Sequence, residues 1–304
     1  MPSRRDSKVH SPLADGQIRL LRLKPANDHS APIECSLFAI SPTKSTQYET
    51  VSHTWGEPKR DKVIKVNSLD FQISRNLFEL LPYLRRRWSD RVLWIDALCI
   101  NQENHKERPS QVKMMGEIYK GASHVVIFLG KKWDGLNIAI EYLKLAAHQE
   151  DAHLNPTLEP HLHINGQNIS TPYVERNLTK FFSAEWFFRV WTVQEFVLAE
   201  RFSFQFETTK IGGSLFLKGF FALRRHISNQ CCGPLFVECA YEDIGCLQLF
   251  QPRKEDIAES TVVRPGLVSQ ADQSLYTSPV WGPPDDTSAL QCILGESSQV
   301  PISV

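Results

Sequence analysis

The residue order predicts an α/β fold, with a mostly parallel central sheet flanked by helices and an antiparallel β addition on its N-terminal side. Three observations carry this. RVLWIDALCI (91–100) and HVVIFLG (124–130) are near-continuous apolar runs, as strands covered on both faces require. Between them Val112, Met115, Ile118, Tyr119 and Ala122 recur at helical spacing, with Pro109 in the first turn. Strand, helix, strand at this spacing implies parallel pairing and a right-handed crossover. Ahead of that unit, IRLLRL (18–23) and IECSLFAI (33–40) flank the turn-rich PANDHSAP, which predicts an antiparallel pair.

The other elements follow in order. Residues 1–16 are polar and read as a disordered leader, with the folded domain over 17–230. YETVSHTWG (48–56) predicts a strand closed by a Gly-Glu-Pro turn. VIKVNSLDFQIS (63–74) has two alternating runs around Asn67-Ser68, a hairpin pattern. Ser74 is placed to cap a helix bearing Leu77, Leu80, Leu81 and Leu84. Another helix is expected over 134–147. Residues 148–180 turn polar and proline-rich; His148, His153, His161 and His163 lack any HExxH-like spacing, so a solvated insertion loop is favoured over a metal site. A helix from Ser183 to about Ala199, a strand at RFSFQF (201–206) and a helix at LFLKGFFALRRHI (215–227) complete the domain. Residues 231–304 read as a poorly ordered tail.

Composition narrows the function classes. The 34 Lys+Arg balance 34 Asp+Glu, so a nucleic-acid protein acting through bulk charge is disfavoured. The N-terminus has no apolar signal core, and no apolar run approaches the roughly 20 residues that span a bilayer. The chain is therefore expected to be cytoplasmic, with reduced thiols. Of seven cysteines, Cys231, Cys232, Cys239 and Cys246 cluster, but their spacing matches no familiar zinc pattern, and buried or incidental thiols are favoured. No metal is assigned. No GxGxxG after a strand, phosphate-binding GxxxxGK[ST] loop, GxSxG elbow or protein-kinase signature occurs, and no resident cofactor is expected.

Three polar blocks stand where chemistry could reside. Ser52-His53-Thr54-Trp55-Gly56 ends a predicted strand, and ligand crevices of parallel sheets lie beyond carboxyl ends. Small hydroxyls there suit a phosphate or sugar and Trp55 suits a ring, although a strand-ending turn with a core tryptophan is the simpler explanation of the pattern. Asp96 follows apolar residues and needs a partner; Arg108 is the natural candidate, with Asn101 and Gln102 fixing the loop and Glu107 opening the next helix. In EWFFRVWTVQEFVLA (185–199), Phe187, Trp191 and Glu195 fall at successive i+4 steps. A carboxylate beside aromatic rings is desolvated and becomes a functional candidate. Equally, Glu195 could pair with Arg189 or Arg108 and anchor its helix.

In this order the blocks resemble the fungal heterokaryon-incompatibility (HET) domain, whose motifs run "iRLL.L", "Y.ALSY.WG", "LWIDALCINQ", "ER..QV..M..IY..A..V..LG" and "R.W..QE..LA". The counterparts are Ile18–Leu23, Tyr48–Gly56, Leu93–Gly130 and Arg189–Ala199, and the resemblance covers roughly residues 17–207. His53 and Thr54 replace the usual aromatic-valine pair, and the later "DPRD..YALLGL" segment is not recognisable. The resemblance implies a role in non-self recognition and programmed cell death. Through a distant kinship with TIR domains it also implies a TIR/flavodoxin-like sheet. Glu195 would then be the catalytic carboxylate of NAD or nucleotide hydrolysis, with Ser52, His53, Trp55, Gly56, Asp96 and Trp191 facing the nucleotide. NAD is thus a candidate substrate. Asn101, Gln102, Glu107, Arg108 and Arg189 would form a structural polar network. The alternative is a non-enzymatic scaffold that self-assembles or binds a signalling partner protein, with Glu195 as an anchor.

Overall fold

IRLLRL is buried at five of its six positions, including the side chain of Arg19, so it requires neighbours on both edges and cover on both faces. The computed structural model describes residues 9–43, 45–149, 151–189, 192–229 and 231–232. Its main strands are β1 (Ile18–Leu23), β2 (Glu34–Ile40), β3 (Glu49–His53), β4 (Arg60–Val66), β5 (Leu69–Ser74), β6 (Arg91–Trp94) and β7 (His124–Gly130). A small hairpin, β8 (His161–Ile164) and β9 (Gln167–Ser170), stands apart, and β10 (Phe202–Phe206) and β11 (Thr209–Gly212) rejoin the main sheet. The helices are α1 (Arg75–Leu84), the single turn α2 (Asp96–Cys99), α3 (Glu107–Gly121), α4 (Leu136–His148), α5 (Thr171–Phe182), α6 (Thr192–Val197) and α7 (Gly213–Ser228).

Nine strands form one sheet in the order β11-β10-β7-β3-β6-β1-β2-β4-β5. The run β10-β7-β3-β6 is parallel throughout, and β2 is parallel to β4. β1 pairs antiparallel with both β2 and β6, and β4/β5 and β10/β11 are antiparallel hairpins. The sheet is therefore mixed, which corrects the expectation of a mostly parallel one. The predicted β1/β2 pair exists in full register, Ile18↔Ile40 to Leu23↔Cys35. It is no peripheral addition, because the apolar β1 is inserted beside β6. The β6-α3-β7 unit is parallel as expected, yet β3 lies between its two strands.

Local chemistry explains several elements. Asn67 and Ser68 have φ of 52° and 66°, the doubly left-handed geometry of a tight hairpin turn. Ser74 Oγ accepts from Leu77 N at 3.4 Å and starts α1, whose four buried leucines face the sheet. Gly219 lets α7 press against α4: a Cβ there would stand 2.0 Å from the Leu143 carbonyl oxygen. Between α5, α7 and β10 lies an aromatic core in which Phe204 and Phe216 rings approach to 4.5 Å.

Four local expectations are corrected. The apolar run 91–100 is a strand only to Trp94, because the Asp96 carboxylate accepts from Ala97 N (2.7 Å) and the chain turns helical. The 183–199 helix is broken: Glu185–Phe188 is a 3-10 turn, Arg189 is extended, and α6 begins at Thr192. Phe187 and Glu195 therefore share no helical stripe, and Trp191 lies outside the described residues. Residues 148–180 hold β8, β9 and most of α5 rather than a loop. Within the expected leader, Val9 and His10 are buried, and a His10 ring nitrogen lies 2.9 Å from the Leu98 carbonyl. The expected tail, Cys231 and Cys232 apart, lies outside the described residues. No helix among these residues is long and apolar enough to cross a membrane.

Candidate functional site

The carboxyl ends of β3 and β6 bring the three polar blocks together. Ser52 and His53 end β3, Asp96 follows β6, and α6 brings Glu195 against them. Glu195 is 5% exposed. It accepts a short hydrogen bond from Ser52 Oγ and another from the Tyr119 hydroxyl of α3. Ser52 Oγ accepts in turn from Trp186 Nε1 at 2.5 Å. Tyr119, Ser52, Trp186 and Glu195 thus form one buried polar knot joining β3, α3, the 3-10 turn and α6.

Electrostatics follow from that enclosure. Burial pushes the Glu195 carboxyl up to about 7, aided by the charge of Asp96; Ser52, the Arg189 charge and Tyr119 oppose the rise. Burial also drives the Tyr119 hydroxyl well above its ordinary value. His53 is depressed to about 4 by burial and by the Arg189 charge, against the pull of Asp96, and its Nε2 is buried without a hydrogen-bond partner.

Around the knot the predicted residues take specific partners. Asp96 Oδ2 accepts from Trp55 Nε1 (2.9 Å), in place of the expected Arg108. Gln102 Nε2 donates to the Asp96 carbonyl (3.0 Å) across this loop. Arg189 donates to the His53 carbonyl (2.5 Å). Gly56 has φ of 67°, and a Cβ there would strike the Asn76 side chain at 2.4 Å. Glu107 joins a second buried network: both its oxygens take Arg19, and Asn101 N donates to it at 2.8 Å. Burial raises the Glu107 carboxyl, but Arg19 and Asn101 more than offset this and hold it below the usual range. Arg108 is half-buried on α3, its backbone N donating to the Asn104 carbonyl.

A cleft of about 480 Å³ opens beside this region, a size that suits a small molecule. Its walls include His53, Thr54, Asn76, Tyr83, Phe128 and Lys131. Ser52, Trp55, Gly56, Asp96 and Glu195 do not line it. Near the loop after Cys99 lies a hollow of about 10 Å³. The sequence reading missed Tyr119, Trp186 and Arg19. Tyr119 and Arg19 looked like ordinary members of a helix stripe and a strand, and only tertiary packing shows their polar role. Away from the site, His153, His226, Cys231 and Cys232 gather their donor atoms within 4.8 Å.

Residues 48–195 match the heterokaryon incompatibility protein (HET) family. The matched stretch resembles a HET domain over just under half of the chain. It contains the whole knot, from Ser52 to Glu195. β1, β2, β10 and β11 complete the sheet from outside the matched range. Over 215 residues the chain is 29% identical to heterokaryon incompatibility protein 6, OR allele, of Neurospora crassa. That alignment covers 60% of this chain and 32% of the relative, so the chain spans about a third of the relative's length. No solved structure matches, so the expected TIR/flavodoxin likeness gains no support from that comparison.

Proposed function

We propose that this HET domain serves heterokaryon-incompatibility signalling as a non-enzymatic module, self-assembling or binding a partner protein, with Glu195 as its internal anchor. The family match and the likeness to the Neurospora protein support the incompatibility role. The observation that carries the non-enzymatic reading is the enclosure of Glu195. Its carboxyl is engaged by Ser52 and Tyr119 and stands outside the wall of the cleft. A carboxylate that stabilises a ribosyl cation must face the bound sugar ring.

A second reading keeps Glu195 as the catalytic group of NAD or nucleotide hydrolysis. It is favoured by the carboxyl value near 7, where general acids and bases work best, and by a cleft that shares His53 with the site. Incubation of the purified chain with NAD separates the two. No nicotinamide release above the protein-free control is expected, for the wild type and for Glu195→Gln alike. Release by the wild type that disappears in Glu195→Gln would establish the enzymatic reading instead.

A further inference from the structure

The geometry points to a tetrahedral zinc site built from His153, His226, Cys231 and Cys232, clasping the end of α7 to the segment between α4 and β8. The donor set is two imidazoles and two thiols, a combination that selects zinc and leaves no open position for substrate. The spacing of the donors fits. With Zn–N near 2.1 Å and Zn–S near 2.3 Å, a tetrahedron puts neighbouring nitrogen and sulfur about 3.6 Å apart. His226 Nδ1 lies 3.2 Å from Cys231 Sγ, and His153 Nδ1 lies 3.7 Å from Cys232 Sγ. Both pairs need shifts of only a few tenths of an ångström to enclose an ion.

The surroundings resemble those of a metal thiolate. Leu154 N donates to Cys232 Sγ at 3.2 Å, and the backbone of Asn155 also favours the charged sulfur. Asn155 Nδ2 holds the Cys231 carbonyl at 2.8 Å, which fixes the paired cysteines against the 153–155 segment. Outer hydrogen bonds of this kind orient ligands and hold charge on sulfur. Without metal, burial pushes the Cys232 thiol up to about 11, so it is protonated at neutral pH. Zinc binds cysteines as thiolates, their protons passing to solvent, with no change in oxidation state. With four protein ligands the site is structural: it fastens two chain segments more than 70 residues apart, as the Leu154–Cys232 bond already does over 78.

The test is elemental analysis of the full chain purified under reducing conditions without added metal. One zinc per chain is expected, retained by Cys239→Ser/Cys246→Ser and lost from Cys231→Ser/Cys232→Ser. Because the latter pair could fail to fold, cobalt(II) exchange into the wild type supplies a second readout. Intense ligand-field bands of tetrahedral cobalt with thiolate charge-transfer, displaced by stoichiometric zinc, are expected. Trace zinc with no cobalt spectrum, a different resident metal, or zinc that leaves with Cys239 and Cys246 would each overturn the assignment.

Discussion

At His53 the imidazole is enclosed and its Nε2 meets no acceptor, so its proton affinity falls from the ordinary 6.5 to about 4. In the unfolded chain the same group takes its proton near 6.5. Stability from His53 is therefore present above pH 6.5 and is lost as pH falls through 4, by about 3 kcal/mol in all. The HET resemblance puts an aromatic residue at this position, and the cleft beside it offers room. His53→Phe should resist acid better than the wild type. The two stabilities, from urea titrations at successive pH values, should diverge between pH 6.5 and 4. Parallel curves would show that the imidazole charges freely in the folded state. Residue identity made His53 and Glu195 visible in the sequence as polar groups out of place, but their protonation depends on burial, which no local pattern specifies.

Among the elements, the contact between α4 and α7 turns on a missing side chain. Gly219 sits inside α7, where glycine costs about 1 kcal/mol relative to alanine in helix propensity alone. The Leu143 carbonyl occupies the place of its Cβ, so Gly219→Ala must push the helices apart and should destabilise the chain by about 1–3 kcal/mol despite the better propensity. A thermal melt that rises in this variant would refute the close approach. α1 and α3 were legible because apolar side chains recur at helical spacing, Leu77, Leu80, Leu81 and Leu84 in the first and Val112, Met115, Ile118 and Tyr119 in the second. So was the β4/β5 turn. The β8/β9 hairpin was equally legible in its chemistry, since His161–Ile164 alternates ahead of Asn165-Gly166, whose φ values are 51° and 78°. The surrounding prolines and histidines masked it. The break at 189 was not legible: the 185–199 run has a continuous helical pattern, and the Arg189 bond to the His53 carbonyl that accompanies the extended geometry is a tertiary contact.

Across the whole molecule, apolar runs show which segments become strands but not their order. β3 between β6 and β7, and β1 beside β6, are set by contacts between segments far apart in the chain. The Glu195 knot is of the same kind: its bond to Ser52 closes a span of 143 residues and ties the last part of the HET-like stretch to its first strand. That carboxyl serves as an enclosed anchor. Its value is raised from 4.5 to about 7, so the unfolded chain releases the proton first as pH rises. Stability from Glu195 is then fully present below pH 4.5 and is lost as pH climbs through 7, by about 3 kcal/mol. Between pH 4.5 and 6.5 this slope opposes that of His53, so only a comparison isolates it. The most direct measurement is the unfolding free energy of wild type and Glu195→Gln from pH 4 to 9. The wild type should fall relative to the glutamine variant by about 3 kcal/mol between pH 4.5 and 8 and then run level with it. A difference that stays constant across the range would mean that Glu195 titrates as a solvent-facing carboxylate, and would contradict its role as a sealed anchor.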